Sequence, residues 1–255
     1  MAAEDPNKDL VISYLTMRKA VGWLGMLLPF ILLLGNKFVN SFGFLNGDWV
    51  VLKDCYNQYN AASSFKSSIS HYYYSTVGEL FTGTLCAVAL FMFCYKGHPK
   101  REGEKGLSDS AMTNLAGFFA FGVVIFPTSS DFCITDNIRT FLSSDRTGNI
   151  HYSFAALFFI TLAVMSMVNF RRSARIEDFG KGKNDYLYLW FGIGMICCLV
   201  LIGVYKIIKA HTSAFDFLHP VFCLEAGALV CFGLSWLKKG KVDIKYVPRM
   251  LNLIK

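Results

Sequence analysis

The chain has 255 residues, of which 54% are hydrophobic and 17% are charged, and its mean hydropathy is +0.41. Soluble domains average about 25% charged residues, so this composition argues against a soluble domain and indicates an integral membrane protein. The net charge of +7 does not indicate a nucleic-acid-binding protein, because the basic residues form no stripe interleaved with aromatics and show no zinc-finger or phosphate-loop spacing. We interpret the basic residues behind this charge as facing membrane lipids.

Six apolar stretches approach the roughly 20-residue length that a helix needs to cross a bilayer. In chain order they cover residues 20–35, 77–95, 111–126, 151–170, 186–208 and 218–237. The first follows Arg18 and Lys19 but lacks a small-residue cleavage site, so we interpret it as an uncleaved span rather than a signal peptide. The third is short and needs its polar flanks, or a tilt in a thinned bilayer, to cross. The predicted fold class is all-α, a single transmembrane domain (1–255) that bundles six helices.

The positions of lysine and arginine predict the orientation of this bundle. Eighteen of the 25 lie before the first stretch, in the second and fourth loops, or after the sixth stretch. Loops rich in lysine and arginine remain in the cytoplasm. Both termini are therefore predicted to be cytoplasmic, and the first, third and fifth loops exoplasmic.

Most of the cysteines fall inside the predicted spans, where a thiol behaves as a small apolar side chain. Cys55 and Cys133 are the two exceptions, and both lie in loops that the charge pattern places outside the cytoplasm. A disulfide between them is allowed if that compartment is oxidising. The alternative is that the two thiols are buried separately.

A row of polar residues precedes the second stretch, in the sequence SISHYYYSTVGEL. Ser67, His71, Ser75 and Glu79 recur at steps of four. If the second helix begins early, they form one stripe on its surface. The three tyrosines between them are typical of an interfacial aromatic belt.

Other ionisable residues fall at the same predicted side of the membrane. Asp131 follows the third stretch, His151 opens the fourth, and His219 opens the sixth, where Pro220 suits the first helical position. Glu225 lies roughly 9 Å deeper at the helical rise. An ionisable residue at that depth usually faces the interior of the bundle.

Together these residues predict an exoplasmic pocket with a metal ion. Imidazoles from different helices can ligate zinc, and a carboxylate can activate water. The predicted metal ligands are His71, His151 and His219; the predicted catalytic residues are Glu79, Asp131 and Glu225; Ser67 and Ser75 complete the polar lining. The chain has no H-E-x-x-H or C-x-x-C signature, so ordinary interfacial histidines and a turn-capping aspartate are the alternative.

Five stretches keep one order over most of the chain: ISYLTMRKAVGWLG, SISHYYYSTVGELFTGTLCAVALFMFCYKG, LAGFFAFGVVIFPT, IHYSFAALFFITLAV and LEAGALVCFGLSWLKKG. Together they resemble a family of uncharacterised bacterial six-span integral membrane proteins. The resemblance implies a six-helix fold in the bacterial cytoplasmic (inner) membrane and brings no established activity. Where that family has an Arg-Asp pair ahead of the second span, this chain has Gly78 and Glu79.

The pattern of Ser67, His71, Asp131 and His219 is also similar to the superfamily of ceramidases and adipoQ-type receptors. These are intramembrane metal hydrolases with a serine and a histidine in one span, an aspartate in another and histidines late in the chain. The similarity implies zinc and a lipid substrate. The chain departs from the pattern, because it has six predicted spans rather than seven and no paired late histidines.

We therefore expect a multi-pass membrane protein whose exoplasmic pocket binds metal and acts on a lipid or a lipid-linked substrate. Its expected partners are membrane lipids, with no nucleic acid. One alternative is a transporter, in which Glu79 and Glu225 lie along a path for ions, protons or small solutes. Another is a non-catalytic sensor or assembly subunit whose basic loops contact anionic lipid or a cytoplasmic partner.

Overall fold

A computed structural model of the protein describes residues 8–42, 65–97, 106–129, 144–177, 186–212 and 215–240. All regular secondary structure in these ranges is helical. The α-helices are α1 Lys8–Phe42, α2 Gly78–Cys94, α3 Asp109–Ile125, α4 Ser144–Val164, α5 Arg171–Glu177, α6 Tyr186–Lys209 and α7 Pro220–Lys239. A π-helical turn, Met165–Phe170, joins α4 to α5, and 3₁₀ turns at Ser70–Tyr74 and Asp216–Leu218 precede α2 and α7.

Four helical segments are long and apolar enough to cross a membrane. They are Tyr14–Val39, Arg146–Ala174, Tyr186–Lys209 and Asp216–Lys239. Helices α2 and α3 are also apolar but have 17 residues each, which gives each a length of about 26 Å. Each of the six predicted stretches corresponds to one of these helices or segments. The predicted all-α class is confirmed for the described residues, and four of the helical segments are candidate membrane spans.

The long helices form a ring in which chain neighbours pack side by side. Helix α2 contacts α1 and α3, α4 contacts α3 and α6, and α7 packs along both α6 and α1. Apolar side chains from these helices fill the interior, and the largest of them that are fully buried include Trp236, Tyr95, Phe81 and Phe170. The contact between α7 and α1 closes the ring.

This closing contact depends on glycine. A Cβ added at Gly233 would lie 2.6 Å from the carbonyl oxygen of Gly22 and 2.5 Å from Cβ of Met26. A Cβ added at Gly22 would lie 2.9 Å from the carbonyl oxygen of Gly233. The two backbones are therefore in direct contact, as small residues allow in helix packing within membranes.

Buried charges join the helices at one end of the ring. The Arg18 guanidinium donates a hydrogen bond to the carbonyl oxygen of Lys239 at 3.0 Å, and it lies 4.2 Å from the ring centroid of Tyr14 and 5.4 Å from that of Tyr95. Arg18 is only 4% exposed. The beginning of α1 and the end of α7 therefore lie together at the same end as the C-terminal end of α2.

The same end holds a buried carboxylate at the start of α3. Asp109 is fully buried; its Oδ1 accepts a hydrogen bond from Asn169 at 2.9 Å and lies 3.6 Å from the guanidinium of Arg172. Asn169 belongs to the π-helical turn, and Ser166 in that turn donates a hydrogen bond to the carbonyl oxygen of Tyr188 at 2.8 Å. The turn thus links α4 to α3 and α6.

We expect Gly233→Ala to lower the free energy of unfolding by about 1–3 kcal/mol, because the added Cβ forces α1 and α7 apart. The matched control is Gly203→Ala on α6, where nothing lies within 4 Å of the added Cβ and stability should be unchanged or higher. Thermal unfolding in detergent micelles measures both. Equal melting temperatures for the two variants would contradict the backbone contact.

Candidate functional site

Residues 65–77, which we call the rim segment, lie directly ahead of α2. Apart from the 3₁₀ turn at Ser70–Tyr74, the rim segment is not helical, and α2 begins only at Gly78. The second helix therefore does not begin early, and Ser67, His71, Ser75 and Glu79 do not form one helical stripe.

Serine side chains explain why the helix does not begin earlier. The Ser75 hydroxyl donates to the carbonyl oxygen of Tyr72 at 2.7 Å and accepts a hydrogen bond from the amide of Val77 at 3.3 Å. Such local bonds between side chain and backbone compete with the hydrogen bonds of a helix. Ser75 therefore shapes the backbone of the rim segment.

Glu225 of α7 anchors the rim segment. The Ser68 hydroxyl lies 2.9 and 3.0 Å from its two carboxylate oxygens, and the amide of Ile69 donates to one of them at 2.6 Å. The amide of Phe222, one turn earlier in α7, donates to the carbonyl oxygen of Ser67 at 3.1 Å. The carboxylate that the sequence predicted to face inward thus has donors from the rim segment, as a carboxylate removed from water requires.

His151, near the start of α4, is bonded through both ring nitrogens. Its Nδ1 lies 2.7 Å from the carbonyl oxygen of Phe126, and its Nε2 lies 2.9 Å from the hydroxyl oxygen of Ser70. A carbonyl oxygen only accepts, so Nδ1 carries a proton. In the neutral imidazole, Nε2 then accepts the hydrogen bond that Ser70 donates. His151 is only 1% exposed, whereas Ser70 is half-buried.

This arrangement matches that of an activated serine. In such sites a base lies within hydrogen-bonding distance of the nucleophile, and a third group fixes the tautomer of the base. Here Ser70 has the position of the nucleophile, His151 that of the base, and the carbonyl group of Phe126 that of the third group. The three come from the rim segment, α4 and the residue that follows α3.

The other predicted site residues that the structure describes make contacts of their own. The Ser67 hydroxyl is 2.6 Å from Nδ1 of His71 in an exposed pair. His219 has a left-handed backbone, with φ of 45°, and its ring centroid lies 4.6 Å from that of Phe65. The predicted start of the last helix at Pro220 is confirmed. Glu79 is exposed in the first turn of α2.

The predicted zinc site finds no support in the part of the chain that the structure describes. No three side chains of His, Cys, Asp or Glu lie together there in a group that could hold a metal ion. Both nitrogens of His151 are already hydrogen-bonded, so the described donors do not fit a zinc ion. Asp131, Cys55 and Cys133 lie outside the described residues, so the predictions made for them remain predictions.

A buried lysine lies next to the rim serines. Lys66 is 5% exposed, and burial lowers the pKa of its side chain to about 8. Its backbone amide donates to the hydroxyl of Tyr72 at 3.4 Å, and burial raises the pKa of that hydroxyl. The lysine side chain therefore loses its proton more readily than an exposed lysine does.

Ser68 and Ser70 did not emerge from the sequence as site residues. The four-residue period selected Ser67 and Ser75, whereas the functional contacts use serines two apart. The available signal is the run SISH itself. Alternating serines ahead of an apolar helix favour local turns, and a turn presents its side chains differently from a helix.

Comparison with known proteins gives no match to any family model, to any curated protein or to any solved structure. The resemblances drawn from the sequence therefore stay predictions, and the geometry carries the functional argument.

We expect Glu225→Ala to speed hydrogen exchange at the Ile69 amide by roughly 10- to 100-fold, because a hydrogen bond to a charged group contributes about 1.5–3 kcal/mol. Exchange followed by mass spectrometry on the purified protein measures this. The matched control is Glu79→Ala, since Glu79 is exposed. Unchanged exchange in the Glu225 variant would show that the carboxylate does not hold the rim segment.

Proposed function

We propose that this protein is a six-span membrane protein of the bacterial inner membrane, with both termini in the cytoplasm, that hydrolyses or transfers an acyl group of a lipid or lipid-linked substrate. Ser70 is the proposed nucleophile and His151 the proposed base. The observation that carries the proposal is the chain of hydrogen bonds from Ser70 through His151 to the carbonyl group of Phe126.

The topology rests on the ring of helices and on charge. The start of α1 and the end of α7 share one end of the ring, as an even number of crossings requires. Three of the basic residues predicted to be cytoplasmic, Arg18, Arg172 and Lys239, lie at this end. Helices α2 and α3 are about 4 Å shorter than the roughly 30 Å hydrocarbon core, a mismatch that local bilayer thinning can accommodate.

A cysteine introduced at Ser129 should react with a membrane-impermeant maleimide in intact cells, because this half-buried residue follows α3 at the proposed exoplasmic end. A cysteine introduced at Leu107, which is 54% exposed before α3, should react only after lysis. Both are made in a variant without the native cysteines. The reverse pattern, or equal labelling, would refute the orientation.

The proposed reaction uses only groups on the chain, water and an ester. The Ser70 Oγ attacks the ester carbonyl carbon while Nε2 of His151 takes the serine proton. The imidazolium then gives this proton to the departing alcohol, which leaves an acyl-serine. Water, deprotonated by the same nitrogen, attacks the acyl group, releases the acid and restores Ser70.

The carbonyl group of Phe126 has a defined part in this sequence. Its hydrogen bond to Nδ1 holds the ring with Nε2 directed at Ser70. It also stabilises the positive charge that His151 carries after it takes the proton, because the carbonyl dipole points its negative end at Nδ1. In serine hydrolases a carboxylate commonly has this role.

A lipid substrate is consistent with the surroundings of the site. Large apolar side chains on the outer faces of the helices are exposed, including Leu157 and Ile160 of α4 and Val204 and Ile207 of α6. On a membrane protein such surfaces face acyl chains. Ser70 lies on the rim segment, at the end of the bundle to which these faces lead.

The transport alternative draws less support from the geometry. Its two carboxylates differ, since Glu79 is exposed on α2 whereas Glu225 already accepts hydrogen bonds from Ser68 and Ile69. A carboxylate that anchors backbone is a poor relay for a moving proton.

We expect a fluorophosphonate probe to form a bond from its phosphorus to the Ser70 Oγ, with loss of fluoride, in the purified protein. Ser70→Ala should abolish the modified peptide, and His151→Asn should slow labelling by roughly 10²-fold or more, because general-base assistance is removed. Asparagine keeps a donor that can reach the carbonyl group of Phe126. Mass spectrometry of the peptide is the measurement.

The matched control is Ser153→Ala, which removes an exposed serine of α4 two residues from His151 and should leave labelling unchanged. Melting temperatures of all variants separate a loss of reactivity from a loss of folding. A correctly folded wild-type protein that the probe does not modify at Ser70 would refute the proposal.

A further inference from the structure

A cation and three hydroxyl groups lie together beside His151. Nζ of Lys206 is 3.6 Å from the ring centroid of Tyr152. The Tyr152 hydroxyl lies 3.2 Å from the side-chain oxygen of Thr128 and 3.3 Å from that of Ser129. We call these four residues the Lys206 cluster. They come from the end of α6, the start of α4 and the residues after α3.

The Lys206 cluster adjoins the Ser70–His151 pair. Tyr152 follows His151 in the chain, and their rings meet edge to face with centroids 5.9 Å apart. The carbonyl oxygen of Thr128 accepts a hydrogen bond from Tyr74 of the rim segment at 2.6 Å. Lys206 is also close enough to His151 and Glu225 to interact with them electrostatically. A group bound by the cluster would therefore lie next to Ser70.

Lys206 differs from Lys209, which follows it on the same helix. Nζ of Lys209 lies 3.4 Å from a carboxylate oxygen of Asp216. The ammonium group of Lys206 lies instead over an aromatic ring, at a position where both Lys206 and Tyr152 are exposed. The carboxylate of Glu225, which interacts electrostatically with Lys206, accepts hydrogen bonds from Ser68 and Ile69. The cluster thus presents positive charge outward.

Helix α6 also exposes apolar side chains to the bilayer, on a different side of the helix from Lys206. Val200, Leu201 and Val204 are 58%, 51% and 46% exposed, and Ile207 is 68% exposed. An acyl chain lying along this surface would place its headgroup at the level of Lys206. The exposed apolar side chains match the acyl chains of an anionic phospholipid, and the cation with its hydroxyl groups matches the headgroup.

We propose that the Lys206 cluster binds the phosphate group of an anionic phospholipid and that such a lipid is the substrate presented to Ser70. The ammonium group and the hydroxyl pair of Tyr152 and Ser129 supply donors that phosphate oxygens accept. The buried Thr128 hydroxyl donates to Tyr152 and holds that hydroxyl in place. The lipid approaches from the bilayer beside α6. The binding step stands on the cluster alone, and only the naming of a substrate rests on the proposed function.

The test uses the purified full-length protein in detergent and a short-chain phosphatidylglycerol as the probe, with binding followed by the shift in melting temperature. Short-chain phosphatidylcholine and inorganic phosphate are the comparison ligands. We expect phosphatidylglycerol to bind more tightly than either one. Lys206→Ala should weaken its binding by about fivefold or more, because one lysine contributes about 1 kcal/mol to attraction of an anionic lipid.

Lys209→Ala is the matched control, since it removes a lysine of the same helix that is paired with Asp216, and phosphatidylglycerol should bind it as it binds the wild type. Lys206→Arg should retain binding. Equal binding of phosphatidylglycerol to wild type and Lys206→Ala would overturn the proposal. So would equal binding of phosphatidylcholine, or inorganic phosphate binding as tightly as the lipid, which indicates a site for free anions.

The experiments can refute either proposal without refuting the other. Lys206-dependent binding of phosphatidylglycerol without fluorophosphonate labelling of Ser70 would identify a lipid-binding site and refute the acyl-transfer chemistry. Labelling of Ser70 without Lys206-dependent binding would refute the lipid assignment and leave the chemistry in place.

Discussion

The rim segment depends on one constraint, which is that polar groups withdrawn from water must be hydrogen-bonded. Glu225 meets it by accepting hydrogen bonds from Ser68 and Ile69, and His151 meets it through Ser70 and the carbonyl group of Phe126. Each bond joins the rim segment to a helix or orients a group that does. Together with the bond from the Phe222 amide to the carbonyl oxygen of Ser67, they determine which serine of the segment lies against the histidine.

The same bonds that fix the structure underlie the proposed chemistry. Because a backbone carbonyl can only accept, the residue after α3 determines the tautomer of His151, and the free lone pair of Nε2 then points at Ser70. The neighbouring Lys206 brings a cation to the same rim. The proposed nucleophile, the proposed base and the proposed anion-binding group thus lie side by side at this rim.

The opposite end of the bundle is also polar, but its groups pair with one another. Arg18 bonds to the end of α7, and Asp109 is held by Asn169 and Arg172. These contacts join the helix ends and fix the arrangement of the ring. Two polar ends with an apolar middle are what a bilayer requires, and the glycine contact between Gly22 and Gly233 lets the ring close within that middle.

The sequence alone determined the helices, because a span is encoded locally by about 20 apolar residues. The sequence also predicted that His71, His151, His219 and Glu225 lie at one rim, because charge alternation and helix ends are local signals. It did not identify Ser68 and Ser70, and it left open an early start of the second helix where the rim segment turns. These depend on contacts across 157 residues to Glu225 and across 81 to His151. Hydrogen bonds between such distant residues leave no periodic trace in the chain, so only the tertiary structure decided which serine the histidine contacts.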